Sequence, residues 1–489
     1  MKTHRVLVIL ALLCIFCARA KAAERKPNVL ILLSDDQGYN DLGCQGSKDI
    51  PTPNIDSLAK NGVRCTQGYV SSCMCSPSRA GLLTGRSQSR FGHEINWEGR
   101  DDSGVRGLPL TERTLADHLK TAGYHTGCIG KWHLGDVAKF HPKARGFDEY
   151  FGHIGGSHDY FKAKDGGKGA TYALEGWDGK PFEFEGYLTE VNAKAAREFI
   201  HRSKDAPWFL YLAFNAPHGP VQATQKYLDR FSHIKEEPRR TYCAMVSALD
   251  DAVGEVLAQL RADGLEDNTL IFFLSDNGGP LERNGSLNTP LSGEKGHTYE
   301  GGIHVPYLVQ WKAGLPAGKV FERPVSSLDI SATAMAAAKV AWAPAQDAPA
   351  KAGATLPLDG VNLIPFFTGE KSGDPHEMLF WRMKARNIWA VRMGDWKLVA
   401  AHGWHGIPAS VGSPRLINLA NDIGELHDVS GEHPAKFAEL KAVFAAWEKT
   451  LPEPLWSNDV SPETVAARQA RVKRQQELKQ KTQDAPKRP

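Results

Sequence analysis

Val29-Leu30-Ile31-Leu32-Leu33-Ser34-Asp35-Asp36 decides how the chain must fold. Five consecutive apolar residues leave no polar face, which suits a strand buried on both sides in a largely parallel sheet. The run stops on a serine and two acids, residues of catalytic type. Three further runs repeat the pattern. Residues 125–129 lead into Gly130-Lys131-Trp132-His133, residues 208–214 into Asn215-Ala216-Pro217-His218, and residues 270–274 into Ser275-Asp276-Asn277-Gly278. Ligands of open α/β sheets bind beyond the carboxyl ends of the strands. Four such ends carrying Asp, Lys, His and Asn therefore point to one shared site.

Helices fall between these runs. Asn54 caps a segment with Ile55, Leu58 and Ala59 on one face, ended by Gly62. Another opens at Thr111 or the nearby Pro109 and carries Leu115, Leu119 and Ala122 in register. The longest spans residues 239–261, with Met245, Leu249, Val253, Val256, Leu257 and Leu260 as its apolar stripe. The alternation predicts an α/β fold with a large mixed, mostly parallel sheet between helices. After residue 374 the texture changes. Residues 379–383, 388–393 and 396–400 read as antiparallel strands with Gly394-Asp395 as a hairpin turn, 415–419 as a fourth strand, and 434–450 as an amphipathic helix. The expected organisation is a catalytic domain over 25–374, a smaller C-terminal antiparallel sheet plus helix over 375–460, and a charged tail over 461–489 that is either a frayed helix or disordered. An Ala- and Pro-rich stretch near 341–354 reads as a loop or linker.

The first residues read as a processing signal. Lys2, His4 and Arg5 precede an apolar run over 6–17, and small residues follow it. This is the pattern of a secretory signal peptide over 1–22. The run is shorter than the roughly 20 residues needed to span a bilayer. The expectation is export, to a periplasm, a lumen or the outside, with no stable membrane insertion after cleavage; an uncleaved anchor is the alternative. A net charge of +3 on 489 residues gives no case for nucleic acid. Cys44, Cys65, Cys73, Cys75, Cys128 and Cys243 match no zinc or haem spacing.

The stretch Cys73-Met74-Cys75-Ser76-Pro77-Ser78-Arg79 continues to Leu83-Thr84-Gly85-Arg86. Pro77 fits the first turn of a helix, which puts Cys75 at the N-terminus, where the helix dipole lowers a thiol's pKa. An ordinary strand-to-helix turn with a buried cysteine reads equally well. Asp35, Asp36, Asp276 and Asn277 make an all-oxygen ligand set, suited to Ca²⁺ or Mg²⁺ rather than zinc. Taken alone, Asp35-Asp36 could be a helix cap; a second Ser-Asp strand end moves the reading to metal. Lys131, Lys295, Arg79 and Arg86 are cations expected near the same end of the sheet. A metal ion with several cations makes a site for a tetrahedral oxyanion, phosphate or sulfate. His133 and His218, each just past a strand end, are candidates for proton transfer. Trp97, Glu98, His153, His158, Asp159 and Trp404 are candidate pocket walls that could equally be packing residues.

These residues resemble a known family. Cys75-Ser76-Pro77-Ser78-Arg79 with Leu83-Thr84-Gly85-Arg86 resembles the signature C-x-P-S-R-x-x-x-L-T-G-R of type I, formylglycine-dependent sulfatases. Gly130-Lys131-Trp132-His133-Leu134-Gly135 resembles their second signature. Within the family the likeness is to the arylsulfatase A/B and N-acetylgalactosamine sulfatase group. It implies an alkaline-phosphatase-like fold and hydrolysis of a sulfate ester on a carbohydrate or an aryl sulfate. It implies that a formylglycine-generating maturation enzyme converts Cys75 to 3-oxoalanine, hydrated to a geminal diol. One hydroxyl attacks sulfur; loss of the second hydroxyl's proton later expels sulfate.

By the same resemblance, Asp35, Asp36, Asp276, Asn277 and the converted Cys75 hold one Ca²⁺. Arg79 holds the diol, Lys131 and Lys295 grip sulfate, His133 assists loss of the second proton, and His218 protonates the leaving alcohol. One departure is His304, where the family's Glu-Gly-Gly-x-Arg-Val-Pro has arginine. The alternatives are a phosphonate or phosphodiester hydrolase of the same superfamily, and a non-catalytic sulfated-glycan binder with an unconverted Cys75.

Overall fold

Strand β1 (Asn28–Ser34) is buried along its whole length. Val29, Ile31 and Leu33 enter the core on one side, Leu30 and Leu32 on the other. That is the two-residue period of a strand with both faces covered. The computed structural model describes residues 25–97, 104–161, 173–344 and 358–456. The expected leader, Glu98, the charged tail and most of the Ala- and Pro-rich stretch lie outside the described residues.

The strands that follow are β2 (Val63–Cys65), β3 (Gly68–Tyr69), β4 (His125–Lys131), β5 (Glu149–His153), β6 (Trp208–Ala213), β7 (Thr269–Ser275), β8 (Tyr307–Gln310), β9 (Lys319–Phe321), β10 (Val325–Ser326), β11 (Met378–Met383), β12 (Ile388–Met393), β13 (Trp396–Ala400) and β14 (Arg415–Asn418). One 8-stranded sheet has the order β5-β4-β6-β1-β7-β8-β2-β9. Its first five strands run parallel. β8 is antiparallel to β7 and β2, and β9 is parallel to β2. This is the mixed, mostly parallel sheet read from the apolar runs.

The longer helices are α1 (Pro53–Lys60), α2 (Cys75–Thr84), α3 (Leu115–Lys120), α4 (Leu188–Arg202), α5 (Arg239–Ala262), α6 (Asp329–Ala337) and α7 (Pro434–Glu448). α4 and α5 cover the Leu30 face, while α2 and α6 cover the Val29 face. Two helix starts differ from expectation. α1 begins at Pro53 behind Thr52, so Asn54 lies within its first turn. The backbone N–H groups of Asn54 and Ile55 donate instead to Asp250 of α5, at 3.2 and 2.8 Å. A carboxylate from a distant helix does the capping, which no local pattern reveals. α3 starts at Leu115 behind a capping box of Thr114 and Asp117, later than Thr111.

β11–β14 form the second, antiparallel sheet. Met393 faces Trp396 across the Gly394-Asp395 turn. α7 covers this sheet, with Phe444 stacked on Trp389 at 4.0 Å between ring centroids. Trp381, Ile388 and Ala390 of the small sheet share a core with Val29 and Ile31 of the large one. Among the described residues no helix is long and apolar enough to cross a membrane.

Candidate active site

Hydrogen bonding continues past the ends of the central strands. Asp35 N donates to Ala216 O and Asp276 N to Ser34 O, both at 3.1 Å. The loops after β1, β6 and β7 are thereby held level. Asp36 follows with φ 64°, a left-handed conformation uncommon for any residue but glycine, of the kind retained at functional sites.

Helix α2 opens at Cys75 and every one of its residues is buried. The Cys75 Sγ lies 3.6 Å from Asp35 Oδ1 and 4.0 Å from Asp36 Oδ1. One turn on, Arg79 directs Nε and Nη2 to Asp276 Oδ2 at 2.9 and 2.8 Å, and Nη1 to the Lys131 carbonyl at 3.1 Å. Lys131 Nζ meets Asp35 Oδ2 at 2.5 Å, and Lys295 Nζ meets Asp36 Oδ1 at 2.6 Å. Asn277 Nδ2 donates to Asp36 Oδ1 at 2.7 Å. Cys75, Arg79, Lys131, Lys295, Asp35, Asp36, Asp276 and Asn277 thus converge. Arg86 does not join them: it pairs with Glu112 at 2.5 Å.

The donor set can be tested for metal. Asp35, Asp36, Cys75 and His218 each offer a ligand atom within 4.8 Å of the others. Asn277 Oδ1 is buried without a hydrogen-bond partner among the described residues. Clustered carboxylates with a free amide oxygen suit a hard dication such as Ca²⁺. His218 belongs to this group by position, while Asp276 is engaged chiefly by Arg79.

Charge is distributed unevenly over the carboxylates. Burial opposes ionisation of Asp35, but Lys131, His218 and Arg79 outweigh it and hold the carboxyl well below its ordinary range. Lys295 and His218 do the same for Asp36. Asp276 is pushed up to about 6 by burial and by Asp35. The Cys75 thiol is pushed up to about 12 by burial and then Asp276. The expectation of a lowered pKa at this helix N-terminus fails here, because burial and the Asp276 charge outweigh the opposing Lys131 and Lys295 charges. A neutral thiol is a poor nucleophile.

The histidines occupy distinct environments. His218 Nδ1 lies 2.6 Å from the Gly219 carbonyl, an oxygen that only accepts, so that nitrogen carries a proton. Its Nε2 faces Asp36 Oδ2 at 3.5 Å. His133 has φ 59°. Burial and the charges of Lys131 and Arg79 keep its ring neutral. The His133 carbonyl accepts from Ser76 Oγ at 2.7 Å and from Trp97 Nε1 at 3.2 Å.

Trp97 is therefore a buried prop rather than a wall, and His153, His158 and Asp159 are buried too. Trp404 stands half-buried against His297. His304 lies 3.0 Å from Glu300 Oε2 and 2.8 Å from the Thr66 carbonyl, a structural position. Sequence reasoning missed Ser76, which His93 Nε2 approaches at 2.7 Å, and Tyr211, whose hydroxyl is 3.5 Å from Arg79 Nη1. The inward face of β6 was the one signal for Tyr211; nothing local marks His93.

Comparison with known proteins bears on this geometry. A family model described as Sulfatase matches residues 27–340. The chain is 34% identical over 406 residues to N-acetylgalactosamine-6-sulfatase of Canis lupus familiaris, covering 79% of this chain and 73% of that protein. It is 31% identical over 484 residues to Arylsulfatase J of Mus musculus, covering 88% and 77%. The crystal structure of Ps i-CgsB in complex with k-i-k-neocarrahexaose superposes with a TM-score of 0.79 at 36% identity, over 91% of this chain and 97% of that one.

Proposed function

The chain belongs to the sulfatase family and is a sulfuric ester hydrolase, and from that premise we propose that it cleaves the sulfate ester of a sulfated carbohydrate through Cys75 oxidised to formylglycine, beside one Ca²⁺. The observation that carries this reading is Cys75 at the head of α2, 3.6 Å from Asp35 Oδ1 in an oxygen-rich cluster. A hard cation suits an oxygen nucleophile, and the raised thiol pKa speaks against sulfur in that role. Asp35, Asp36, Asp276, Asn277 and the converted Cys75 would hold the ion. Bound there, Ca²⁺ would supply positive charge to a sulfate oxygen and to the nucleophile. The maturation enzyme that oxidises Cys75, and export under the leader, belong to the same proposal.

This chain's own residues supply the rest. Arg79, fixed on Asp276, keeps the head of α2 in place. Lys131 and Lys295 present ammonium charge where sulfate oxygens bind and where charge grows on the leaving oxygen. His218, its Nδ1 proton tied to Gly219 O, would protonate the departing alcohol from Nε2 in its imidazolium form, which burial opposes and the facing Asp36 and Asp35 carboxylates favour. Neutral His133 accepts a proton in the later step that frees sulfate. In balance, the ester and water give alcohol, sulfate and a proton.

Mass spectrometry of the Cys75 peptide from the native source, paired with rates on an aryl sulfate and a phosphodiester, tests the reading. The expected result is a peptide lighter than the thiol form and a large preference for the sulfate. A free thiol alone would favour a glycan binder, and a preference for the diester would favour a phosphodiesterase.

A further inference from the structure

The small C-terminal sheet reaches the rim of the site at one cation. β11 and β12 are joined by the bend Lys384–Arg386, closed by Asn387 with φ 51°. Arg386 lies over Gly296: a Cβ built there would be 3.2 Å from Arg386 Nη1. Gly296, at φ 89°, directly follows Lys295, and its N–H donates to Cys73 O at 2.9 Å. Arg386 therefore stands one residue from a sulfate-binding lysine and close to the head of α2.

The other cations of this hairpin are occupied. Arg382 binds Glu94 at 2.7 Å, Lys384 binds Glu453 at 2.5 Å, and Arg392 bonds the Tyr69 hydroxyl and Gln67. Arg386 is exposed and has no hydrogen bond or acidic partner among the described residues. Across from it, His297 meets the Trp404 ring edge-on at 5.4 Å, and its Nδ1 is buried without a partner. Trp404 meets His405 at 4.3 Å, and His405 itself has φ 28°. Two loops of the small sheet thus present a guanidinium against Gly296 and an indole against His297, each through a left-handed residue. Burial above all, with smaller contributions from His402 and Arg386, depresses the His297 pKa to about 4.

A planar guanidinium is suited to bidentate binding of sulfate or carboxylate, and an indole to the apolar face of a sugar ring. We propose that Arg386, together with Trp404 on the neighbouring His297, forms a second subsite that binds an anionic substituent on the sugar next to the one desulfated. The enzyme then prefers a glycan carrying at least two neighbouring negative charges over an isolated sulfate ester. This rests on the sulfatase reading of the site.

The test compares wild type with Arg386→Gln and Arg386→Lys on three substrates: p-nitrophenyl sulfate, a disulfated neocarra-oligosaccharide, and a disaccharide bearing one sulfate and one uronate. The expected result is that Arg386→Gln lowers the ratio of kcat/KM on a dianionic substrate to that on the aryl sulfate by about tenfold or more, through KM, with Arg386→Lys in between. Loss on both sugars shows that charge is read; loss on the disulfated one alone shows that sulfate is read. An unchanged ratio on both overturns the proposal. Titration calorimetry of the disulfated oligosaccharide against Cys75→Ala and Cys75→Ala/Arg386→Gln reads the subsite without turnover. Equal affinities there also overturn it, even where hydrolysis itself fails.

Discussion

Lys397 Nζ lies 2.7 Å from Glu300 Oε1, an ion pair with both side chains fully buried. It ties β13 of the small sheet to the helical turn Glu300–Ile303. Glu425 completes the tie, 2.8 Å from the same amine, and accepts the Glu300 N–H at 2.6 Å. That turn in turn holds the site. Gly301 N donates to Ser292 O at 2.7 Å and Gly278 N to Gly302 O at 3.1 Å, fixing the loop of Lys295 and the residue after Asn277. Lys397→Met leaves two carboxylates buried without their cation. We expect a loss of roughly 3–5 kcal/mol in urea unfolding and a lower kcat. A variant as stable as wild type would mean that the network is neutral.

Gly278 packs against backbone. A Cβ there would overlap the Gly301 carbonyl oxygen. Gly278→Ala must therefore push the Asp276-Asn277 segment away from the Glu300–Ile303 turn. A displacement of ~1 Å in a catalytic group typically costs about a hundredfold in rate. Steady-state kinetics on an aryl sulfate should show that loss mainly in kcat; activity within about twofold of wild type would contradict the close contact.

The central sheet was legible because a strand covered on both faces writes its environment into five consecutive residues, as Val29–Leu33 do. The polar residues at the strand ends were legible for the same reason, since Lys131, Asp276 and Asn277 follow such runs directly. What stayed hidden depends on partners far along the chain. Asp250 caps α1 from α5. Glu112 withdraws Arg86 from the site. Desolvation lifts the Cys75 thiol where the local dipole argument lowers it. Lys397 and Arg386 sit in strands and bends whose sequence gives no sign that they meet Glu300 and Gly296.

Chelation separates the metal proposal from a purely cationic site. Without a dication, Asp35 and Asp36 are balanced by Lys131 and Lys295. Dialysis against EGTA should abolish hydrolysis, and Ca²⁺ should restore it. A bound ion also adds stability, about 2.7 kcal/mol at a hundredfold excess over Kd, so Tm should rise with Ca²⁺. Asp36→Asn should lose most of that rise. A Tm indifferent to Ca²⁺ in the wild-type protein would refute the ligand assignment independently of activity.

His376 gives a pH signature away from the reaction centre. Its Nε2 lies 2.8 Å from Asp329 Oδ1, and the same carboxylate accepts the N–H groups of Ser326 at 2.7 Å and Val361 at 2.8 Å. Burial works against the imidazolium, yet Asp329 outweighs it and raises the His376 pKa above its ordinary value. Folding therefore binds a proton more tightly than the unfolded chain does, and the pair's stabilisation is complete below the unfolded pKa. It is lost as pH rises through the higher folded pKa. His376→Gln should lower stability most near pH ~6, by roughly 1.5–3 kcal/mol for a buried bond to a charged group. The deficit should shrink as pH rises through the folded pKa and the wild-type ring loses its charge. Urea midpoints of the two proteins across this range would show it, and a deficit that grew with pH would invert the assigned charge state.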